Sequence, residues 1–258
     1  MDYTLNIKHC ISAAREAGAE ILKIYHHPES DFGIQMKADN SPLTLADKAA
    51  HRCILSRLEP LGIPVLSEEG IHLPYSERKE WKRLWVVDPL DGTKEFIKKN
   101  GEFTVNIALI EDGVPVLGVV YVPVTDTLYY GMQSQGAWKQ VGENRATPLT
   151  GKREATDGIF RVVASRSHLN AETLAYVEEM RRIHGQVEMV SRGSSLKICM
   201  VAEGEADAYP RFAPTMEWDT AAGDAIARSV GKQVINVETG TSLLYNKEEL
   251  LNPWFLVE

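Results

Sequence analysis

Hydrophobic positions near the start of the chain follow a helical spacing. Apolar side chains recur every three or four residues between Leu5 and Ile24. This spacing predicts an amphipathic helix that ends near His26. A second helix is predicted from Thr44, which serves as its hydroxyl N-cap, to about Leu58. The apolar positions of the first helix are Ile7, Ile11, Ala14, Ala17, Ile21 and Ile24.

Short continuous apolar runs follow these helices and predict buried strands. Two of them, at residues 65–67 and 84–87, each end at an acidic residue, Glu68 and Asp88. Three more, at 104–109, 116–122 and 127–131, are separated by turn residues and predict an antiparallel meander. A short strand is also expected at 34–37. The first half of the chain is therefore predicted to be helices layered on a sheet.

The polar stretch at residues 142–157 is rich in turn formers and is the best candidate boundary. We predict an N-terminal α+β half at residues 1–145 and a C-terminal α/β half at 146–258. In the second half, strands at 160–164, 187–190 and 206–209 alternate with helices at 171–183, 194–202 and 220–229. This alternation is typical of an α/β layer.

Composition narrows the class of protein. The 258 residues are 44% hydrophobic and 25% charged, which is ordinary for a globular chain. A formal net charge of -8 argues against nonspecific binding to nucleic acid or membranes. The apolar runs are too short to span a membrane, and no signal peptide is recognised, so a cytoplasmic location is expected. The cysteines Cys10, Cys53 and Cys199 are widely spaced and are expected to be reduced.

The segment Asp88-Pro89-Leu90-Asp91-Gly92-Thr93 carries the clearest chemical signal. Pro89 fixes a backbone torsion and Gly92 permits a tight turn, so both carboxylates can face one point. Two carboxylates and the Leu90 carbonyl suit a hard cation such as Mg²⁺. A β-turn with Asp at its first position is an equally good interpretation of the motif alone.

Three further acids are candidates, two where predicted elements end or begin and one in the first turn of the second predicted helix. Glu68 closes a strand, where it is a metal ligand or half of a solvated acidic pair with Glu69. Asp219 precedes a helix, where it is a metal ligand or an N-cap. Asp47 lies three residues after Thr44, which fits a capping box as well as a catalytic role. If these acids converge, their repulsion requires cations, and two Mg²⁺ ions would suit phosphate monoester hydrolysis. Thr93 would then accept a proton from the attacking water while it donates to Asp47.

Cations and turns in the second half suit an anionic nucleotide. Gly193, Ser194 and Ser195 open a predicted helix, where free backbone amides attract phosphate. Lys197 and Arg211 add positive charge near this helix. An ordinary serine-capped helix with surface bases is the alternative interpretation.

Together, the acids, the run from Asp88 to Phe96 and the run Trp218-Asp219-Thr220-Ala221-Ala222-Gly223 resemble the magnesium-dependent, lithium-sensitive phosphatase superfamily that includes inositol monophosphatase. The resemblance spans nearly the whole chain. Within the superfamily, four segments are similar to bacterial 3'(2'),5'-bisphosphate nucleotidases: 67–69, 88–106, 193–197 and 209–212. The resemblance implies a five-layer αβαβα sandwich of α/β class. It also implies removal of the 3'-phosphate of adenosine 3',5'-bisphosphate, in sulfate assimilation, with its sulfated precursor as a further substrate. Inositol phosphate, sugar phosphate and NADP remain the alternative substrates.

The resemblance also implies roles for individual residues. Glu68, Asp88 and the Leu90 carbonyl would hold one Mg²⁺, and Asp88, Asp91 and Asp219 a second, with a third, weaker ion near Glu68. Thr93 and Asp47 would position the attacking water, and the amides of Gly92 and Thr93 would bind the scissile phosphate. Metal ligands and nucleotide contacts together would line the substrate site: Glu68, Leu90, Asp91, Gly92, Thr93, His168, Ser194, Ser195, Lys197, Arg211 and Asp219. The resemblance leaves peripheral association with the inner membrane open, and the sequence does not decide between a monomer and a homodimer.

Overall fold

A computed structural model describes residues 3–27, 32–37, 42–152, 157–164 and 169–258. In these ranges the long predicted elements are confirmed, with shifted ends. The helices are α1 Thr4–Tyr25, α2 Leu45–Leu58, α3 Tyr75–Arg78, α4 Thr93–Ile97, α5 Ala171–His184, α6 Leu196–Glu203 and α7 Glu217–Ser229.

The strands of the first half are β1 Gln35–Met36, β2 Pro42–Leu43, β3 Val65–Ser67, β4 Arg83–Asp91, β5 Thr104–Glu111, β6 Val114–Val122, β7 Thr127–Met132 and β8 Gly136–Val141. Those after residue 145 are β9 Thr147–Pro148, β10 Phe160–Ala164, β11 Val187–Ser191, β12 Tyr209–Arg211, β13 Val234–Asn236 and β14 Phe255–Val257. Five of these strands were not predicted: β2, β8, β9, β13 and β14.

The large sheet has seven strands in the order β3-β4-β5-β6-β7-β8-β9. β3 and β4 are parallel, and every later pair is antiparallel, as the predicted meander requires. The short pairing of β9 with β8 brings residues 147 and 148 into this sheet. The proposed division of the chain after residue 145 stays a prediction.

Both faces of the large sheet are buried, which explains why β4 is a continuous apolar run. Trp85 and Val87 pack toward α1 and α2, whereas Leu84 and Val86 pack toward α6 and α7. A strand that is covered on both faces loses the alternation of apolar and polar side chains that marks a half-exposed strand.

A second sheet lies beyond α6 and α7. Its strands β12, β14 and β13 are antiparallel, and β10 pairs with β11 in parallel. The two groups join where Val162 pairs with Ala208. α5 contacts β10, β11 and β12, and α6 contacts β10 and β12. The layers are therefore α1 and α2, the large sheet, α6 and α7, the small sheet, and α5, which is the expected αβαβα sandwich.

Candidate active site

Three carboxylates meet where β4 ends and α7 begins. Each of Asp88, Asp91 and Asp219 offers one oxygen, and these oxygens all lie within 4.8 Å of one another. Asp88 and Asp91 belong to β4, and Asp219 lies in the first turn of α7. The predicted convergence of these three acids is therefore present in the structure, although Asp219 is distant in sequence from the other two.

A β-bulge brings Asp88 and Asp91 together. Asp88 pairs with Asn106 of β5, and Asp91 pairs with Thr104, so β4 advances three residues while β5 advances two. Side chains three apart on a regular strand point to opposite faces, and one extra residue restores a common face. We expected β4 to end before Asp88 and the turn at Gly92 to gather the acids. Instead β4 continues to Asp91, and the bulge at Pro89 and Leu90 brings the two acids to the same face.

Asp219 is not the N-cap of α7. The helix begins at Glu217 with Met216 as its N-cap, and the Met216 amide donates to Oδ2 of Asp219 over 2.8 Å. Thus the predicted start at Thr220 was three residues late. Only Oδ2 of Asp219 accepts this bond at the N-terminus of α7, which is compatible with a role of the same carboxylate as a metal ligand.

Glu68 follows β3 and faces the same cluster. Its amide bonds to the carbonyl of Val87, and its carboxyl lies within hydrogen-bonding reach of Asp88. Lys37, which the sequence analysis did not single out, donates from Nζ to Oε1 of Glu68 over 2.7 Å and to Oε1 of Glu69 over 2.5 Å. Glu68 and Glu69 therefore share one ammonium in this structure.

Burial and mutual repulsion disfavour ionisation of these acids. Burial, together with the charges of Glu68, Asp91 and Asp219, raises the pKa of Asp88 well above its usual value. Burial and the charge of Asp91 raise the pKa of Asp219 to about 8. Burial also raises the pKa of Glu68, although Lys37 opposes this shift. Because the donors are all hard oxygens and share one pocket, the set fits a divalent cation, which would keep the carboxylates ionised.

Asp47 and Thr93 form a pair beside the cluster. Thr93 Oγ1 donates to Oδ1 of Asp47 over 3.3 Å and lies 3.4 Å from the Leu90 carbonyl oxygen. Asp47 also completes the capping box of α2, where the Thr44 amide and hydroxyl donate to its Oδ2. Burial raises the pKa of Asp47 to about 6, although both hydrogen bonds from Thr44 oppose the shift. The capping interpretation of Asp47 is thus correct, and it leaves Oδ1 for Thr93.

A cleft of about 630 Å³ opens next to the acids. Ser194 and Arg211 each keep a buried polar atom, Oγ and Nε, that has no hydrogen-bond partner among the described residues. Lys197 is buried, donates to the Ser194 carbonyl over 2.6 Å and lies over the Tyr209 ring. The predicted site residues that line the cleft are Asp91, Gly92, Ser194, Ser195, Lys197, Arg211 and Asp219.

The backbone amides at the start of α6 were expected to be free to bind phosphate, but two of them are hydrogen-bonded to carboxylates. The Gly193 amide donates to Oε2 of Glu102 over 2.8 Å, and the Ser195 amide donates to Oδ2 of Asp91 over 2.6 Å. Ser194 takes a positive φ of 44°, so the helix starts at Leu196 rather than at Ser194. The two carboxylates accept from these amides because the bulged end of β4, which carries Asp91, and the segment after α4, which carries Glu102, lie against this turn.

The structure bears differently on two expectations, the nucleotide contact of His168 and the absence of a membrane-spanning helix. His168 lies outside the described residues, so its predicted contact with the nucleotide stays a prediction. Within the described ranges, no helix combines the length and the apolar character needed to cross a membrane.

Asn106 is a further residue of the site that the sequence analysis missed. It is a buried amide in the otherwise apolar run of β5, and its Nδ2 lies 3.3 Å from Oδ2 of Asp91. A polar residue within a buried strand was a usable signal, because buried polar groups need a partner. Lys37 gave no such signal, since its partners lie 31 and 32 residues away.

Comparisons with known proteins indicate the family of the chain. The model of the inositol monophosphatase family matches residues 3–255. The 3'(2'),5'-bisphosphate nucleotidase CysQ of Shigella flexneri is 48% identical over 247 residues, covering 95% of this chain and 96% of that protein. The crystal structure of CysQ from Bacteroides thetaiotaomicron superposes with a TM-score of 0.90 at 52% identity and covers 99% of this chain and 97% of that one. Inositol monophosphatase II of Staphylococcus aureus, at 24% identity and a TM-score of 0.75, shares the fold over 99% of this chain and 91% of its own.

Proposed function

Because the chain belongs to the inositol monophosphatase family, we propose that its acidic site hydrolyses the 3'-phosphate of adenosine 3',5'-bisphosphate to give AMP and phosphate. The chain is a phosphatase of the 3'(2'),5'-bisphosphate nucleotidase type. One observation carries the proposal for the site: the clustered acids Asp88, Asp91 and Asp219 adjoin a cleft that contains Lys197 and Arg211. Cations held by the carboxylates would bind the scissile phosphate. The two basic side chains would bind a second anionic group.

We assign two Mg²⁺ sites to the acids. Glu68, Asp88 and the Leu90 carbonyl would hold one ion, and Asp88, Asp91 and Asp219 the other. A third, weaker site near Glu68 would compete with Lys37 for the same carboxylate. When bound, such ions acidify water and stabilise negative charge on the attacking and leaving oxygens of a phosphate ester.

The residues of the chain supply positioning and proton transfer. Thr93 donates its own hydroxyl hydrogen to Asp47, so its oxygen lone pairs are available to a water molecule. That water would then be held at Oγ1 with its proton directed toward the Thr93 and Asp47 pair. The amides of Gly92 and Thr93 would bind the scissile phosphate, because they open α4 where backbone N–H groups are free.

Contacts to the nucleotide would come from the opposite side of the cleft. The unpartnered Oγ of Ser194 and Nε of Arg211 favour an anionic or polar ligand there, because a buried polar atom without a partner is costly. Lys197 would serve the 5'-phosphate, and His168 would complete the site.

Several finer predictions accompany this function. They are inhibition by lithium, a place in sulfate assimilation, activity on the sulfated precursor of the bisphosphate, a cytoplasmic location with the option of peripheral attachment to the inner membrane, and a monomeric or homodimeric state. We expect lithium inhibition because Mg²⁺ takes oxygen ligands, and a second small, hard cation would compete for the same carboxylates.

A substrate panel tests the proposal. Phosphate release is measured from adenosine 3',5'-bisphosphate, from its sulfated precursor and from inositol 1-phosphate, with Mg²⁺ titrated from zero. We expect release from the bisphosphate that requires Mg²⁺ and falls with lithium. Release from inositol 1-phosphate without release from the bisphosphate would overturn the substrate.

The variant Asp88→Asn tests the metal site independently. Asp88 is assigned to both ions, so its loss should abolish turnover while the fold is retained. Circular dichroism checks the fold, and phosphate release checks turnover. Unchanged turnover would remove Asp88 from the mechanism.

A further inference from the structure

Ser195 contacts Asp91 rather than open space in the cleft. It is only 3% exposed, and both its amide nitrogen and its Oγ lie 2.6 Å from Oδ2 of Asp91. Both distances lie at or below the short end of the usual range for hydrogen bonds. The polar groups that would have to face a nucleotide are therefore already engaged by a carboxylate.

The hydroxyl of Ser195 also connects two chain segments that carry acids. Its Oγ lies 2.7 Å from the carbonyl oxygen of Asp219 and 2.8 Å from Nδ2 of Asn106. A hydroxyl has one hydrogen to donate and can accept two. Asn106 therefore donates to Ser195, and the hydroxyl hydrogen serves either Asp91 or the Asp219 carbonyl. One hydroxyl thus joins the end of β4 to the start of α7.

Asn106 is oriented by its neighbour on β5. Thr104 Oγ1 donates to Oδ1 of Asn106 over 3.0 Å, which turns Nδ2 toward Ser195 and Asp91. Both β5 residues are buried, and they pair with the two bulged acids of β4, Asn106 with Asp88 and Thr104 with Asp91. The two polar residues of this strand therefore lie beside the acids that the bulge brings together.

We propose that Ser195 and Asn106 are positioning residues that fix the Asp91 carboxylate through Oδ2 and leave Oδ1 for a metal ion. This inference rests on the metal site of the proposed function, and it moves Ser195 from the nucleotide contacts to the support of a metal ligand. Among the described residues, the polar contacts of the Asp91 side chain with Ser195 and Asn106 all lie on Oδ2: Ser195 N, Ser195 Oγ and Asn106 Nδ2.

Removal of this support should weaken metal binding. Without the Ser195 hydroxyl, Oδ2 of Asp91 loses its contact with Oγ and Asn106 loses an acceptor, so the carboxylate is held less firmly in place. Mutation of the outer partners of metal ligands typically lowers metal affinity by about 10- to 100-fold. A residue that contacts only the nucleotide would leave the affinity for the metal alone unchanged.

Mn²⁺ binding to the full-length, metal-free protein tests the proposal, with free Mn²⁺ measured by electron paramagnetic resonance. We expect Ser195→Ala and Asn106→Ala each to weaken binding by about tenfold or more. The double variant should be weaker by much less than the product of the two losses, because both act on one carboxylate. Ser194→Ala is the matched control: its Oγ has no partner in the described part of the chain, and its Mn²⁺ affinity should equal that of the unmodified protein. Independent, fully multiplicative losses would contradict a shared network.

Kinetics separate positioning from substrate contact. For Ser195→Ala, kcat/KM should fall by the same factor for adenosine 3',5'-bisphosphate and for p-nitrophenyl phosphate, which has no second anionic group. Unchanged Mn²⁺ affinity with a KM increase confined to the bisphosphate would return Ser195 to the nucleotide site and overturn the proposal. Since Mn²⁺ binding needs no substrate, this arm stays decisive even if the bisphosphate is not hydrolysed.

A milder variant covers the event that Ser195→Ala does not fold. Thr104→Val keeps the shape of a fully buried side chain and removes only the donor to Asn106. Asn106 can then turn its amide, so Mn²⁺ affinity should fall by about threefold to tenfold, a smaller loss than removal of a direct partner brings. Full Mn²⁺ affinity in folded Thr104→Val and Asn106→Ala would exclude the network.

Discussion

Thr93 Oγ1 lies 3.3 Å from Oδ1 of Asp47 and donates to it across 46 positions of sequence. The two oxygens of Asp47 have separate partners, since Oδ2 accepts from the backbone amide and the hydroxyl of Thr44. Capping of α2 therefore fixes the carboxylate that orients Thr93. Asp47 therefore caps a helix and also accepts from Thr93, so the capping interpretation leaves the proposed catalytic role open.

Removing the Thr93 hydroxyl should slow the chemical step without weakening substrate binding. For Thr93→Val we expect kcat to fall by about 100-fold or more, the usual contribution of a positioned proton-transfer group, with little change in KM. Steady-state phosphate release measures both constants. Thr125→Val is the control, because it also removes a threonine hydroxyl that donates to another side chain, Thr127, at an exposed position on another part of the chain. A large KM increase with kcat unchanged would place Thr93 in ground-state binding instead.

Lys37 should compete with a metal ion for Glu68. Its ammonium bonds to Glu68 and Glu69, and burial of the site makes an unpaired carboxylate costly. In Lys37→Met the metal-free protein should lose about 1 to 2 kcal/mol of unfolding free energy, and Mg²⁺ should restore more stability than in the unmodified protein. Urea unfolding with and without Mg²⁺ measures both quantities.

Lys48→Met is the matched control for Lys37. Lys48 donates to the neutral side chain of Gln35 at an exposed position, so its loss should change neither quantity. An identical response to Mg²⁺ in Lys37→Met and the unmodified protein would show that the ammonium and the ion do not share the carboxylate.

The sequence was sufficient for the layers and for most of the acids, but not for the contacts between distant segments. Periodicity identified α1, α2 and the first strands because each buries a regular pattern of side chains. A later strand was predicted at residues 206–209, but β12 lies at Tyr209–Arg211 and includes Pro210, which is tolerated because β12 is at the edge of its three-stranded group. The bulge at Pro89 and the approach of Lys37 depend on pairing with remote residues, which no local pattern encodes.

The close packing of β6 against α7 should control where Asp219 lies. A Cβ atom added to Gly118 would stand 2.2 Å from the carbonyl oxygen of Ala222 in α7, so the helix would have to move. We expect Gly118→Ala to destabilise the protein by about 3 kcal/mol, at the upper end of overpacking effects, and to weaken Mg²⁺ binding. Gly131→Ala, on β7, is the comparison variant, because its nearest atom in α7 would be 3.0 Å away and its cost should be smaller. Equal losses of stability for the two variants in thermal unfolding would show that the contact of Gly118 with α7 is no tighter in effect than that of Gly131.

Stabilisation by Mg²⁺ should increase with pH. Because the pKa of Asp47 is raised to about 6 and that of Asp219 to about 8, the metal-free folded protein holds protons that the unfolded chain releases. Its stability therefore falls as pH rises from about 4 to about 8. An ion must displace the Asp219 proton, which is harder at low pH. The increase in Tm caused by Mg²⁺ should be larger at about pH 9 than at about pH 6, and the reverse order in thermal melts would exclude proton release from these acids.

Recognition of the second phosphate should depend on the charge of Lys197. Burial lowers the pKa of Lys197 to about 8, although Asp91 and Glu95 oppose the shift, so the ammonium is charged below this pH and loses its proton above it. Lys197→Met should raise the KM for adenosine 3',5'-bisphosphate by about 10- to 100-fold, the effect of one lost charge-assisted contact, and change the KM for adenosine 3'-phosphate much less. In the unmodified protein, the KM for the bisphosphate divided by the KM for adenosine 3'-phosphate should rise as pH increases through about 8. This pH dependence should vanish in Lys197→Met. Lys94→Met, which removes an exposed cation from the same cleft, should keep the pH dependence. Equal KM increases for both substrates would show that Lys197 does not distinguish the 5'-phosphate.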